Sequence, residues 1–98
     1  MESFKDIISS GQIVLVDFFA TWCGPCKSMH PILKELKESM GNDIRIIEID
    51  VDKNQNLSVK YNIQAVPTFA LFRKNEILWR QSGAMSLPNL MNVIKSYM

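Results

Sequence analysis

The chain contains two cysteines, Cys23 and Cys26, and only Gly24 and Pro25 separate them. A structural disulfide framework normally uses more cysteines at wider spacings, so this pair is expected to do chemistry. At the start of a helix, unpaired backbone N–H groups and a partial positive charge stabilise a thiolate. This placement makes Cys23 the predicted nucleophile. Cys26 follows one helical turn deeper and can close a disulfide with it.

This spacing predicts dithiol–disulfide exchange. The Cys23 thiolate attacks a substrate disulfide and forms a mixed disulfide, and Cys26 then attacks Cys23 and releases the reduced substrate. The two roles predict an exposed sulfur at Cys23 and a buried sulfur at Cys26. The alternative is half of a zinc site. Zinc normally takes four ligands, whereas the chain offers one histidine, His30, and no second cysteine pair, so redox chemistry is favoured and no metal is predicted.

Asp17 interrupts an otherwise apolar run, residues 12–20, in which β-branched and aromatic side chains dominate. Such a run is typical of a strand buried on both faces, so the carboxyl group is expected inside the protein. Burial of an unpaired carboxylate is costly and raises its pKa. We predict that Asp17 takes the proton from Cys26 as Cys26 becomes a nucleophile. The alternative, a buried polar group with satisfied hydrogen bonds and no catalytic part, stays open.

A long helix over residues 24–40 is predicted to position the cysteines. Its first turn contains Pro25, where a missing N–H costs nothing, and Gly41 ends it. Pro31 falls inside the helix and predicts a kink. The apolar face repeats at helical spacing and consists of Cys26, Met29, Leu33, Leu36 and Met40.

The remaining strands complete a small sheet. Residues 12–20 and 44–50 are connected through the helix, so they are expected to be parallel with a right-handed crossover. Thr68–Arg73 and Ile77–Gln81 predict an antiparallel hairpin with Lys74-Asn75 at the turn. The hairpin makes the sheet mixed.

Three further helices flank the strands. The first is capped by Ser3 with a capping box to Asp6, the second lies near Asn54–Tyr61, and the last follows Ser86. The inner face of the last helix is predicted to be Leu87, Leu90, Met91, Ile94 and Met98. The order α-β-α-β-α-β-β-α predicts an α/β protein with a mixed four-stranded sheet and helices on both faces.

The composition excludes several functions. The 98 residues suit one domain over 1–98, and the net charge of +1 comes from eleven basic and ten acidic residues that are interleaved. This pattern predicts no nucleic-acid partner and no membrane partner. The apolar runs are too short to span a bilayer, and the first residues lack the pattern of a signal peptide. We therefore expect a cytoplasmic monomer.

At this point the motifs are similar to those of a known family. Residues 16–27, Val-Asp-Phe-Phe-Ala-Thr-Trp-Cys-Gly-Pro-Cys-Lys, resemble the thioredoxin active-site region almost residue for residue. Pro31 resembles the helix-kinking proline of that family, and residues 66–69, Val-Pro-Thr-Phe, resemble its cis-proline loop. Gly83 matches a glycine that borders the substrate groove. The resemblance runs from about Ser3 to the end of the chain and implies the thioredoxin fold.

The resemblance also implies a function. Pro67 would be cis and would pack beside the cysteines, which keeps metal out, and the Val66 backbone would pair with an extended segment of a substrate protein. The chain would reduce disulfides in substrate proteins and bind no cofactor, and its electrons would come from NADPH through a flavin-containing thioredoxin reductase. Alternatives are a thiol oxidase or isomerase, and a binding subunit whose redox activity is incidental. The implied docking surface consists of Trp22, Gly24, Pro25, Val66, Pro67, Gly83 and Ala84.

The chain departs from the family pattern at several places. The strand that usually precedes the first helix is missing, so residues 44–50 are expected at a sheet edge. Phe19 stands where many members have a second tryptophan. Glu48 stands where some members have a lysine near the buried Asp, and this exchange is expected to raise the pKa of Asp17. Asn62 and Asn75 stand where glycines are common.

Overall fold

A computed structural model describes residues 2–98 of the chain. It contains the eight predicted helices and strands in the predicted order. The helices are α1 (Phe4–Ile8), α2 (Gly24–Met40), α3 (Gln55–Lys60) and α4 (Leu87–Ser96), with a 3-10 turn at Gly41–Asp43. The strands are β1 (Ile13–Phe19), β2 (Ile44–Asp50), β3 (Thr68–Arg73) and β4 (Glu76–Ser82).

The four strands form one mixed sheet in the order β2-β1-β3-β4. β1 and β2 are parallel because α2 carries the chain back between them, whereas β3 is antiparallel to both β1 and β4. The predicted α/β architecture is therefore confirmed. β1 and β3 are the central strands, and β1 is the one that leads directly into the cysteine-bearing helix.

Alternate residues of β1 point to two separate apolar clusters. Ile13 and Leu15 pack with α2 and α4 on one face of the sheet. Val14, Val16 and Phe18 pack on the other face, against α1 and the segment that follows α3. Because strand side chains alternate between the faces, Asp17 belongs to the face that α2 covers.

The helix ends depend on local chemistry that was expected from the sequence. Ser3 and Asp6 form the predicted capping box at α1, in which each side chain accepts a hydrogen bond from the backbone of the other. Ser86 caps α4 through the N–H of Asn89. Gly41 follows α2 with a φ of 55°, a conformation that favours glycine. α2 continues through Pro31, and the kink there stays a prediction.

Two details of the prediction were incomplete or wrong. The hairpin strand is longer than 77–81, and both residues of its turn, Lys74 and Asn75, have positive φ. Met98 is 59% exposed and is not part of the inner face of α4. The prediction failed at Met98 because the helix ends at Ser96, after which helical spacing no longer sets the direction of a side chain.

β2 is an edge strand, as expected for residues 44–50. Arg45 in this strand forms two hydrogen bonds with the carboxylate of Glu2, at 2.7 and 3.0 Å. In the part of the chain that the structure describes, no helix is long and apolar enough to cross a membrane.

Candidate active site

Cys23 occupies the junction between β1 and α2. It is the N-cap residue of α2, and its Sγ accepts a hydrogen bond of 3.2 Å from the N–H of Cys26. The two cysteines form a disulfide, with their Cα atoms 5.3 Å apart. This N–H and the helix dipole are placed to stabilise a thiolate on Cys23. The strand-to-helix junction thus supplies both sulfurs and the group that activates one of them.

The prediction that the Cys23 sulfur is exposed needs correction. Cys23 is only 4% exposed, against 1% for Cys26, so in the disulfide form both cysteines are buried. They form a small apolar cluster with Ala20, and Val66 packs against it. The expected order of exposure holds, but the difference is small because the loop that carries Val66 covers the disulfide.

That loop approaches the disulfide with a cis peptide bond between Val66 and Pro67, as the resemblance implied. The carbonyl oxygen of Val66 lies 3.6 Å from the Sγ of Cys23. The Thr68 hydroxyl, which is buried, donates a 2.6 Å hydrogen bond to the Ala65 carbonyl and holds the loop in place. The backbone of Val66 therefore lies next to the predicted nucleophile.

The loop after β4, which contains Gly83, is hydrogen-bonded to the loop that carries Val66 and Pro67. The N–H of Gly83 donates a 2.8 Å hydrogen bond to the carbonyl of Pro67, which brings Gly83 and Ala84 to the same end of the sheet. Gly83 has a φ of 100°, a backbone conformation in which a residue with Cβ is strained. The hydrogen bond to the Pro67 carbonyl places Gly83 next to the loop that carries Val66 and Pro67.

The predicted docking residues differ in exposure. Trp22 is 70% exposed, and Gly24, Pro25, Gly83 and Ala84 are also exposed. Val66 is half-buried and Pro67 is buried, so Pro67 lies beneath this surface instead of on it.

Asp52 orients Trp22, and sequence reasoning missed it. The indole Nε1–H of Trp22 donates a 3.0 Å hydrogen bond to the Asp52 carboxylate, 30 positions along the chain. Asp52 follows β2 in a turn in which the Asp50 carboxylate accepts a hydrogen bond from the Asp52 N–H. No local pattern indicates this contact, because it depends on the sheet that places the end of β2 beside the end of β1.

Asp17 is fully buried at the centre of β1. Among residues 2–98, neither of its carboxylate oxygens has a hydrogen-bond partner, so the structure does not support the alternative of a satisfied polar group. The pKa of Asp17 is raised from 3.8 to about 7: burial is the largest cause, the negative charge of Glu48 adds to the increase, and His30 opposes it. The effect of Glu48 has the direction expected from its position in the sequence. A carboxyl group with this pKa can both take and release a proton near neutral pH.

Glu48 and His30 complete the surroundings of Asp17. Glu48 is directly opposite Asp17 in the parallel pairing of β1 and β2, and it lies 3.2 Å from His30 on α2, measured from Oε1 to Nδ1. The side chain of His30 is 46% exposed. The ring also meets Phe19 edge to face, with the ring centroids 6.2 Å apart.

The described residues offer no set of ligands that would complete a zinc site with the two cysteines. Over residues 2–98, no group of three or more His, Cys, Asp or Glu side chains is placed to hold a metal ion. The arrangement can instead cycle between a dithiol and a disulfide, with a buried carboxyl group on the same face of the sheet.

Comparison with known proteins gives consistent matches. The Thioredoxin family model matches residues 1–96. The chain is 42% identical over 95 residues to "Thioredoxin Y1, chloroplastic" of Arabidopsis thaliana, covering 96% of this chain and 55% of that protein. It is 36% identical to a thioredoxin of Bacillus subtilis, covering 99% and 92%. The crystal structure of oxidised mitochondrial thioredoxin 3 from Saccharomyces cerevisiae superimposes with a TM-score of 0.86 at 32% identity, covering 95% and 86%. The chain spans about half the length of the chloroplastic relatives that it matches.

Proposed function

Because the chain belongs to the thioredoxin family, we propose that it is a protein-disulfide reductase that works through the Cys23/Cys26 couple. The observation that carries this proposal is the disulfide at the start of α2, where the N–H of Cys26 donates to the Sγ of Cys23. The same hydrogen bond stabilises the Cys23 thiolate in the reduced protein, so the geometry favours attack by Cys23 on another disulfide.

The reaction transfers two electrons in two exchanges. The Cys23 thiolate attacks one sulfur of the substrate disulfide, which forms a mixed disulfide and releases the other substrate sulfur as a thiolate. Cys26, after loss of its proton, then attacks the Cys23 sulfur. The Cys23–Cys26 disulfide forms, and the second substrate sulfur leaves as a thiolate. The substrate disulfide is reduced and the couple is oxidised.

Asp17 serves as the base in the second exchange. It lies on the face of the sheet that α2 covers, the same helix that carries Cys26, and its raised pKa of about 7 suits a group that accepts a proton near neutral pH. Since no other residue of the described chain hydrogen-bonds to its carboxylate, the carboxylate is free to accept the Cys26 proton, directly or through water.

Substrate proteins dock over the surface formed by the two loops and the exposed Trp22. An extended substrate segment pairs with the backbone of Val66, next to the Cys23 sulfur, in the manner of strand addition. The exposed indole of Trp22, the residue before Cys23, supplies further apolar contact area. The full set is Trp22, Gly24, Pro25, Val66 and, behind it, Pro67, with Gly83 and Ala84.

The cellular setting is also part of the proposal. Electrons come from NADPH through a flavin-containing thioredoxin reductase, and the chain itself binds no cofactor. Residues 1–98 act as one domain, which is consistent with the single four-stranded sheet of residues 2–98, and the chain acts as a monomer. The proposed location is the cytoplasm, although relatives are named chloroplastic and mitochondrial.

Reduction of insulin by dithiothreitol, followed through precipitation of the insulin B chain, tests the activity. The wild-type chain is expected to accelerate the reaction, and Cys23→Ser is expected to abolish the acceleration. Cys26→Ser is expected to form a mixed disulfide on Cys23 that mass spectrometry detects. Ser39→Ala, on the exposed side of α2, is the control and should behave like the wild type. Full acceleration by Cys23→Ser would refute the proposed activity.

The reduction potential separates a reductant from an oxidase or isomerase. Equilibration in a glutathione or dithiothreitol buffer should give a reduction potential of about −270 mV, the reference value for thioredoxin. A value near about −120 mV, typical of a strong periplasmic oxidant, would show that the couple runs in the opposite direction.

A further inference from the structure

Three titratable side chains form a row that leads from the core to the surface, close to the active site. Asp17 is fully buried in β1, Glu48 is opposite it in β2, and the His30 ring on α2 lies 3.2 Å from the Glu48 carboxylate. Opposite residues of a parallel pair project to the same face, and adjacent strands are separated by about 4.8 Å. The carboxylate of Glu48 is therefore the nearest charge to Asp17 within the sheet, and His30 is the group that offsets it.

The other elements around Asp17 supply little charge. On β3 the residue opposite is Phe69, which is apolar and buried. On α2, besides His30, the residue that is buried toward the sheet and can titrate in the reduced protein is Cys26, which is disulfide-bonded in this structure. Asp50 follows Glu48 on the same face of β2, but its carboxylate accepts hydrogen bonds from the backbone N–H groups of Asp52 and Lys53.

Besides Glu48 on β2, charged residues near His30 lie on its own helix. Lys27 and Lys34 stand one turn before and one turn after His30 on α2, and both are exposed. Water and salt screen exposed charges strongly. The contact with Glu48 is therefore the interaction that His30 makes toward Asp17.

We propose that His30 and Glu48 are positioning residues that form a pH-sensitive charge pair, which controls whether Asp17 can accept the proton of Cys26. A protonated His30 neutralises Glu48, so a second negative charge on Asp17 is tolerated and Asp17 is available as a base. A neutral His30 leaves Glu48 unpaired beside Asp17, which favours the protonated form of Asp17. The proposal rests on the proposed function, since it assigns Asp17 to the second exchange of that reaction.

The electrostatic effects agree with this arrangement. Burial has the largest effect on the pKa of Asp17 and raises it. Glu48 also raises this pKa, whereas His30 lowers it. Histidine is the side chain whose charge ordinarily changes between about pH 5 and 8, the range in which Asp17 also titrates. Loss of positive charge at His30 therefore makes the Asp17 proton harder to remove.

The test is to follow the Asp17 carboxyl carbon by NMR across pH in the reduced protein. Glu48→Gln is expected to lower the midpoint of the Asp17 titration by about half a pH unit or more. His30→Lys keeps a positive charge at all pH values tested and is expected to lower the midpoint. His30→Ala is expected to raise it. Lys34→Gln removes an exposed charge from the same helix and is the control, with a wild-type midpoint.

The rate of the second exchange gives an independent measurement. In single-turnover reactions, the pH at which this rate reaches half its maximum is expected to move with the Asp17 midpoint in each variant. A merely structural role of His30 would change stability without moving either midpoint. Identical Asp17 midpoints in His30→Ala, His30→Lys and the wild type would overturn the proposal. A wild-type chain that fails to reduce insulin would refute the proposed function instead, whatever the NMR titration shows.

Discussion

At the scale of single residues, Asp17 lowers the stability of the fold in the ionised form that its proposed function requires. The folded chain holds its proton up to about pH 7, whereas an ordinary Asp releases it near pH 3.8. Unfolding therefore releases a proton between these values, so the free energy of unfolding falls as pH rises through this window. The total decrease is roughly 4 kcal/mol, from about three units of pKa at about 1.4 kcal/mol each.

Asp17→Asn is expected to remove this decrease. The variant should be within about 1 kcal/mol of the wild type at pH 4 and more stable by up to about 4 kcal/mol at pH 8, since the buried negative charge is absent. Guanidinium unfolding at both pH values measures the difference. Asp43→Asn removes an exposed carboxylate and serves as the control, with little effect at either pH. A variant that loses stability equally at pH 4 and pH 8 would contradict the assignment of the raised pKa.

Trp22 is predicted to contribute to docking and not to folding. Trp22→Ala should lower kcat/KM for insulin about tenfold or more, since exposed tryptophans often dominate interfaces, but should affect a small aromatic disulfide much less. Asp52→Leu removes the acceptor of the indole N–H and should give a weaker version of the same effect. Asp52→Asn keeps an acceptor oxygen and is the matched control. Equal losses for insulin and for the small disulfide would argue against a docking role.

At the scale of elements, the residues of the β3–β4 turn do not give the fold its highest stability. Both Lys74 and Asn75 have positive φ, at 50° and 69°, which is the conformation of a two-residue type I′ turn. The pair Asn-Gly suits this turn better than Lys-Asn, because a lysine is strained at positive φ. The double variant Lys74→Asn, Asn75→Gly is expected to raise the free energy of unfolding by about 1 kcal/mol in denaturant titrations.

Glycine placed elsewhere is expected to have the opposite effect. Asn92→Gly, on the exposed side of α4, should lower the free energy of unfolding by about 0.5 kcal/mol because glycine loses more backbone entropy in a helix. If the turn variant is also less stable than the wild type, the turn conformation is not the one described.

Local patterns in the sequence were enough to predict the elements. The bounds of α2 and β2 agree with residues 24–40 and 44–50, because helical spacing and a β-branched run are strong local signals. The 3-10 turn at Gly41–Asp43 was not predicted, and neither was the irregular pairing of β3 with β4 near Leu71 and Phe72. Both depend on how the chain closes against neighbouring elements.

The active site was predictable to the extent that it lies within one segment. Residues 17–26 contain both cysteines and the buried carboxyl group, and the apolar run around Asp17 indicated that its side chain is buried. The pairs His30–Glu48 and Trp22–Asp52 join residues 18 and 30 positions apart, and only the sheet brings them together. The burial of Cys23 was missed for the same reason, since a distant loop covers it.

At the scale of the whole molecule, the sheet has two open edges, at β2 and at β4. β2 carries Ile46, Ile47 and Ile49 as half-buried residues, and Arg45 and Glu48 interrupt this apolar surface. Charges on an edge strand discourage pairing with another chain.

Arg45→Val is therefore expected to promote self-association. Sedimentation velocity at rising protein concentration should show dimers or larger species for Arg45→Val, since the variant strand is a nearly continuous apolar run. Lys53→Val, which adds an apolar side chain to an exposed turn, is the control and should stay monomeric. Equal association of the two variants would point to general hydrophobicity instead of the strand edge.

The covering of the cysteines by a distant loop has a consequence for newly made chains. Cys23 and the Val66 carbonyl that approaches it are 43 positions apart, so during synthesis the cysteines leave the ribosome well before the loop that covers them. Until β3 joins the sheet, the two thiols belong to an unfolded segment, where neither the helix N-terminus nor the loop controls which disulfides they attack. The chain can therefore select its partners only after the loop that carries Val66 has been synthesised and has folded. A nascent chain that stalls before this point carries two unselective thiols.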